Sequence, residues 1–257
     1  MAQFEVDPIL FHVPSGEIKA SLLGDESPSS HLAVVVPGAG YSCRQPLLYF
    51  LIQSLLKSGH QVLTIDSLYA DNKNWTSLPT EDDAYRYVQN DAESLFQQLQ
   101  SRFNKGVHTL VARSLGTYSV ACALEKNLIH PAQIVWQCPS LHNKWAILKN
   151  TQPRSLVIIG KADPRYELAA RFLPADSFVA EDADHAMELG NPIRSIELLK
   201  QITDYTMTWL ETSDVDMIQL ERNLRLTPEQ LLIEHQAGLE LCSELARAGQ
   251  KVYEQSQ

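Results

Sequence analysis

Between residues 32 and 180 the chain repeats one pattern, a short apolar run followed by a longer amphipathic or polar stretch. The first run, Leu32 to Val36 (LAVVV), is stopped by Pro37-Gly38. After it, PLLYFLIQSLLKSG gathers apolar residues on one helical face, carries Lys57 in its last turn and ends at Gly59. QVLTID, HTLVAR, AQIVWQC, SLVIIG and SFVAED repeat the strand-like run. Helical patterns lie over Thr80 to Arg102, in SLGTYSVACALEKN, and over Asn191 to Glu211. Apolar runs without alternation suit strands buried on both faces, and strands separated by helices build a parallel sheet covered on both sides. The expected fold class is therefore α/β, a doubly wound, mostly parallel sheet. Two further strands are expected at the start, around Phe4 to Val13 and Glu17 to Leu23, joined through the turn Pro14-Ser15-Gly16.

Sheets of this kind bind ligands beyond the carboxyl ends of their strands. Polar residues directly after a strand are thus the candidates for chemistry. Ser114, in LVARSLGTY, stands between the strand HTLVAR and a helix. Capping that helix is one role for it, and nucleophilic attack is another. A serine hydroxyl attacks only with a base in reach, a carboxylate orienting that base, and donors aimed at the developing oxyanion. The sharp turn from strand to helix also demands small residues two positions to either side, and Ala112 and Gly116 stand there. Asp163 follows the strand SLVIIG, where it could also cap a helix opened by Pro164. Asp176, Asp182 and Asp184 are less clearly strand-terminal. His185, in EDADHAMEL, follows the last strand. His12, His31, His60, His108 and His130 fall at strand or helix edges, where exposed or hydrogen-bonded histidine is ordinary. His142 precedes the acid in the chain and is a candidate pocket residue, and His235 belongs to the tail. Only His185 completes the order Ser, Asp, His with each member after a strand.

Over roughly Leu32 to Glu211 the chain resembles the α/β hydrolases. VVVPGAGYS resembles that family's oxyanion loop, with Pro37-Gly38 where a His-Gly pair is usual. ARSLG is similar to the nucleophile elbow, IIGKADP to the acid loop and DADHAMEL to the histidine loop. The resemblance implies Ser114 as nucleophile, His185 as general base and then acid, and Asp163 as its orienter. It implies the N–H groups of Leu115 and Ala39 as oxyanion donors, with Gly40 as a substitute for Ala39. Around that site, Arg113 has two roles open to it: holding a substrate carboxylate, or pairing with an acidic residue and locking the turn. Arg44 falls near the same mouth. Tyr41 is expected to wall the pocket, and Cys43 to be a packed thiol. Many relatives carry a lid after the sixth strand. Here PSLHNKWAILKNTQPR leaves room for a single helix, with Trp145 and Leu148 facing the pocket and Trp75 as another wall. A minimal lid favours small, soluble substrates.

The net charge of −10 argues against nucleic acid and against an anionic membrane surface. No apolar stretch is long enough to span a bilayer, and MAQFEVDPIL does not read as a signal peptide. The four scattered cysteines suit a reducing compartment, so a cytoplasmic protein is expected. PGAG lacks the remainder of a phosphate-binding or dinucleotide-binding loop, and no His, Cys or carboxylate cluster has metal-ligand spacing along the chain. No cofactor and no metal are expected.

The hydrolase region is expected over residues 1–212 and a helical tail over residues 213–257. In the tail, Leu220, Leu224 and Leu226 precede Thr227-Pro228-Glu229-Gln230, a capping-box pattern with Pro at the first helical position. Leu231, His235, Leu239, Cys242 and Leu245 then recur at helical spacing, which suits a docked appendage or an arm for homodimerisation. The leading functional expectation is a serine hydrolase acting on a small acyl compound. A fold-retaining binding or scaffold protein that recruits a partner through its tail is the rival reading, and an acyltransferase shares the acyl-enzyme step.

Overall fold

The computed structural model describes residues 8–25, 31–66, 69–224, 227 and 230. Among these, eight strands form one sheet in the order β1-β2-β4-β3-β5-β6-β7-β8. They are β1 (Ile9–Val13), β2 (Gly16–Leu23), β3 (Leu32–Val36), β4 (Gln61–Asp66), β5 (Thr109–Arg113), β6 (Gln133–Gln137), β7 (Arg154–Gly160) and β8 (Ser177–Ala180). β2 runs antiparallel to both β1 and β4, and every other pairing is parallel. β3, β5 and β6 are buried along their whole length, as their unbroken apolar sequences require.

Helices cover both faces. The long helix α3 (Glu81–Arg102) and the central helix α4 (Leu115–Glu125) pack on each other. They share one core cluster with Val34, Val36, Leu110, Ala112, Ile134, Trp136, Val157 and Ile159. Side chains alternate along a strand, so the intervening residues point to the opposite face, where α1 (Pro46–Lys57) packs on β3 and β4. Sequence signals set the helix ends. Pro46 opens α1, and the Thr80 hydroxyl caps α3 by accepting the Asp83 N–H at 3.1 Å.

The loop after β4 contains the single turn α2 (Lys73–Thr76). It is capped by the Asn72 side chain, which accepts the N–H groups of Asn74 and Trp75. The connection after β6 carries only the one-turn helix α5 (Ile147–Asn150), so the lid is minimal. A short α6 (Tyr166–Ala169) follows β7. The closing helix α7 (Pro192–Leu224) does not stop at Glu211, as expected, but runs through Thr212-Ser213-Asp214. The Thr212 hydroxyl bonds back to the Thr208 carbonyl at 2.8 Å, which lets this residue sit inside a helix.

The chain divides into two units, Met1–Met207 and Thr208–Gln257. In the second, the Thr227 N–H donates to Gln230 Oε1 at 2.8 Å and the Gln230 N–H to Thr227 Oγ1 at 3.3 Å. That is the reciprocal pair expected from TPEQ. The apolar stripe from Leu231 to Leu245, and with it the dimerisation expectation, lies outside the described residues. No helix among the described residues is long and apolar enough to cross a membrane.

Candidate active site

The parallel strands end together along one edge. Their register sets Val36 beside Ala112, Arg113 beside Gln137 and Gly160 beside Ala180. Loops leaving β3, β5, β7 and β8 therefore meet over a short distance. Ser114 occupies the turn from β5 to α4 with φ 48° and ψ −121°, a conformation that is uncommon for a residue with a side chain. Its N–H donates to the Gln137 carbonyl at 2.9 Å and its carbonyl accepts the Thr117 N–H at 2.9 Å. These bonds hold the turn against its strain.

The small residues around it are required by contact. A Cβ on Gly116 would lie 2.4 Å from the Pro37 carbonyl oxygen and 2.5 Å from that of Val36. One on Gly38 would lie 3.1 Å from Ser114 Cβ. The loop after β3 is thus pressed against the serine, and Ala39 and Gly40 continue from it. Ala39 is fixed by its carbonyl, which accepts the Ala70 N–H at 2.9 Å. Leu115 is the first residue of α4, so its N–H has no acceptor within the helix.

Ser114 makes no side-chain bond to the helix it precedes. Its Oγ lies 2.9 Å from His185 Nε2, and His185 Nδ1 lies 2.6 Å from Asp163 Oδ2. With Nδ1–H donating to the carboxylate, Nε2 is left to accept the serine proton. Asp163 is 3 % exposed. Burial pushes its carboxyl up, but the bonds from His185 and from the Arg165 N–H outweigh this and hold it below the ordinary range. Asp163 does not cap α6, which begins at Tyr166 and has no side-chain cap. Asp163 Oδ1 accepts the Arg165 N–H at 2.9 Å while Oδ2 faces the imidazole.

The histidine loop is braced from three sides. Asp184 Oδ1 accepts the N–H groups of Ala186 (2.8 Å) and Glu188 (3.0 Å). A Cβ on Gly160 would lie 2.0 Å from the Ala183 carbonyl oxygen, so β7 packs directly under the loop. Arg113 Nη2 donates to the His185 carbonyl at 2.9 Å.

Two roles were left open for Arg113, and its contacts are with the protein interior. The side chain is 1 % exposed and lies 3.7 Å over the Tyr41 ring, with Nη1 3.4 Å from Cys138 Sγ. In the sequence Asp184 stands only as a weaker candidate for the acid, and Cys138 only as one of four scattered cysteines. Only the adjacency of Asp184 to His185 could have signalled its bracing role.

Tyr41 is half-buried, and its hydroxyl accepts the Leu47 N–H at 3.0 Å. Cys43 is a packed thiol, which burial pushes up to about 12. Arg44 is exposed and lies in the field of Asp66. Trp75 is half-buried at the edge of the core, with its ring 6.0 Å from that of Tyr69. His142 stacks on Tyr85 at 4.4 Å and pairs with Asp82 at 2.9 Å. Trp145 and Leu148 are buried in the core cluster, contrary to the expectation that they face the pocket. A cavity of about 380 Å³ opens beside the histidine loop, lined among others by Tyr41, Leu47, Ala186, Met187 and Glu188. A larger one, about 640 Å³, includes Ile129, Pro131 and Pro153 near the starts of β6 and β7, and neither cavity is lined by Ser114, Asp163 or His185.

No protein-family model matches the chain, and no curated protein matches it. Solved structures do. An α/β-hydrolase-type protein of unknown function from Agrobacterium tumefaciens aligns with a TM-score of 0.58 and 18% identity, over 80% of this chain and 97% of that one. A serine hydrolase without a lid from Xanthomonas campestris aligns at 0.52 and 17% identity, over 81% and 97%. A dienelactone hydrolase from Anabaena variabilis aligns at 0.56 and 17% identity, over 78% and 96%. At these identities the likeness is one of architecture, and the chain has the α/β-hydrolase fold.

Proposed function

We propose that this chain is a serine hydrolase that cleaves an ester, thioester or related acyl bond of a small soluble compound. One observation carries the reading. Ser114 Oγ, freed from capping, is 2.9 Å from an imidazole nitrogen whose ring partner is 2.6 Å from a buried carboxylate.

The chemistry follows from those distances. Ser114 Oγ bonds to the acyl carbon as its proton passes to His185 Nε2. The charge that develops on the acyl oxygen accepts hydrogen bonds from the N–H groups of Leu115 and Ala39, with Gly40 able to substitute for Ala39. His185 then gives its proton to the departing alcohol or thiol, leaving an acyl-enzyme. Water attacks that intermediate, losing a proton to His185, and the acid leaves as Ser114 Oγ recovers it. Asp163 stays ionised throughout and stabilises the imidazolium.

The short connection after β6 supports a small acyl substrate. The charge of −10 supports a partner that is neither nucleic acid nor an anionic membrane. Buried, free Cys43, Cys122 and Cys138 support a cytoplasmic setting.

A fluorophosphonate probe tests the proposal. It should label the intact protein and not Ser114→Ala, and the same substitution should remove hydrolysis of short-chain nitrophenyl esters. An intact protein that resists the probe and cleaves no short ester between about pH 6 and 9 would leave the fold without this chemistry.

A further inference from the structure

Three histidines converge at the end of the sheet opposite Ser114. His31, His60 and His108 immediately precede β3, β4 and β5, which lie side by side in the order β4-β3-β5. The register sets Leu32 beside Gln61 and Ala33 beside Thr109. The three residues therefore enter the sheet on adjacent strands about 4.8 Å apart. Main-chain bonds fix them there. The Gln61 N–H donates to the His31 carbonyl at 3.0 Å, and the His108 N–H to the Leu32 carbonyl at 2.9 Å.

The rings follow the backbone. His31 and His108 stack with centroids 4.0 Å apart, and His60 meets His31 edge-on at 6.2 Å. One nitrogen from each ring lies within 4.8 Å of one from each of the others. His60 is buried, His108 half-buried, and the ring of His31 reaches solvent. His108 Nδ1 lies 3.1 Å from Thr109 Oγ1, a buried hydroxyl that also accepts from Gln133 Nε2 at 2.9 Å. When Nδ1–H donates to that oxygen, Nε2 carries the lone pair. A carboxylate or hydroxyl orients a metal-binding histidine in the same manner.

We propose that His31, His60 and His108 form a binding site for a divalent transition-metal ion of the zinc class. Three imidazoles supply three ligands, and a water completes a four-coordinate shell on the open side. Bonds of about 2.0–2.1 Å in a tetrahedron separate ligand nitrogens by about 3.4 Å. The three ligand nitrogens, all within 4.8 Å of one another, must therefore close by up to about 1.4 Å. Rotation of the three rings about their side-chain bonds makes that movement, with His31 leaving its stack on His108. This departs from the expectation of no metal, which rested on spacing along the chain. The ligands sit on three strands, so a sequence-spacing rule does not detect them. The ion clips three central strands together about 20 Å from Ser114, one strand length away, and takes no part in acyl chemistry.

The full chain, without an affinity tag and stripped with a chelator, should bind one zinc ion in a calorimetric titration. Cobalt chloride should give the intense visible absorption of a four-coordinate centre. Excess zinc should raise the thermal midpoint. His31→Ala alters the ring nearest solvent and should keep its fold, yet lose at least about tenfold in zinc affinity and lose the thermal shift. His108→Gln should weaken binding likewise, and ester hydrolysis by His31→Ala should match that of the intact chain. Absence of saturable binding, or equal zinc affinity in the intact chain and His31→Ala, would overturn the proposal.

Discussion

Gly116 shows how closely the turn at Ser114 is specified. The carbonyl oxygens of Val36, the last residue of β3, and of Pro37, the first of the loop, occupy the space a side chain would need, and the sheet holds Val36 beside Ala112. Gly116→Ala should therefore cost at least about 3 kcal/mol, read from urea denaturation as a lowered midpoint. A stability unchanged within error would mean that the loop is free to give way. Ser114, Asp163 and His185 were legible because each follows an apolar run at a strand end and because their order is fixed by the topology. The partners of Arg113 were not legible. Its acceptor is the carbonyl of a residue 72 positions away, and every residue offers a carbonyl. Only the fold selects among them.

At the scale of elements, α3 ties the antiparallel edge of the sheet to the loop after β4. Asp91, on its buried face, accepts the Ser15 N–H at 3.0 Å in the β1-β2 turn and the Tyr69 hydroxyl at 3.2 Å. Burial pushes this carboxyl up, and the bonds from Ser15 and Tyr69 offset that only in part. Asp91→Ala removes the acceptor from both donors, and leaves the Tyr69 hydroxyl without it in a buried site. It should cost about 1–3 kcal/mol and raise hydrogen exchange at the β1-β2 turn before the rest of the sheet opens. Exchange unchanged at that turn would show that the hairpin is held by its ladder alone. The periodicity of α3 was plain from sequence, as was its Thr80 cap. The length of α7 was not. Thr212-Ser213-Asp214 carry residues that favour helix ends, and a local back-bond at Thr212 lets the helix continue past them.

For the molecule as a whole, carboxyls shifted in opposite directions, Asp91 and Asp163 buried and Asp66 partly desolvated though exposed, set the response to acid. Desolvation raises Asp66 and Asp91 above the ordinary range, so the folded chain takes up protons there before the unfolded chain does. Acidification from neutrality is stabilising through these two groups. Asp163 has the opposite sign. Its contribution is full above the unfolded value, about 3.9, and is lost as pH falls through its lower folded value. The charge of −10 adds self-repulsion at neutral pH that protonation relieves. The thermal midpoint should therefore be higher near pH 5 than near pH 8 and fall steeply below about pH 4, as followed by circular dichroism in dilute protein. A midpoint that falls steadily from pH 8 downward would contradict this balance.

The amino-acid sequence by itself determined the alternation of strand and helix, the parallel sheet, the ends of α1, α3 and α4, and the order of serine, acid and histidine along the chain. Those properties depend on local periodicity and on residues a few positions apart, where the chain carries its own information. Tertiary structure alone decided that Ser114 Oγ turns to His185 instead of capping α4, that Arg113 holds the histidine loop, and that three histidines on neighbouring strands share one edge. Each depends on strand register, which brings together residues that no sequence window contains.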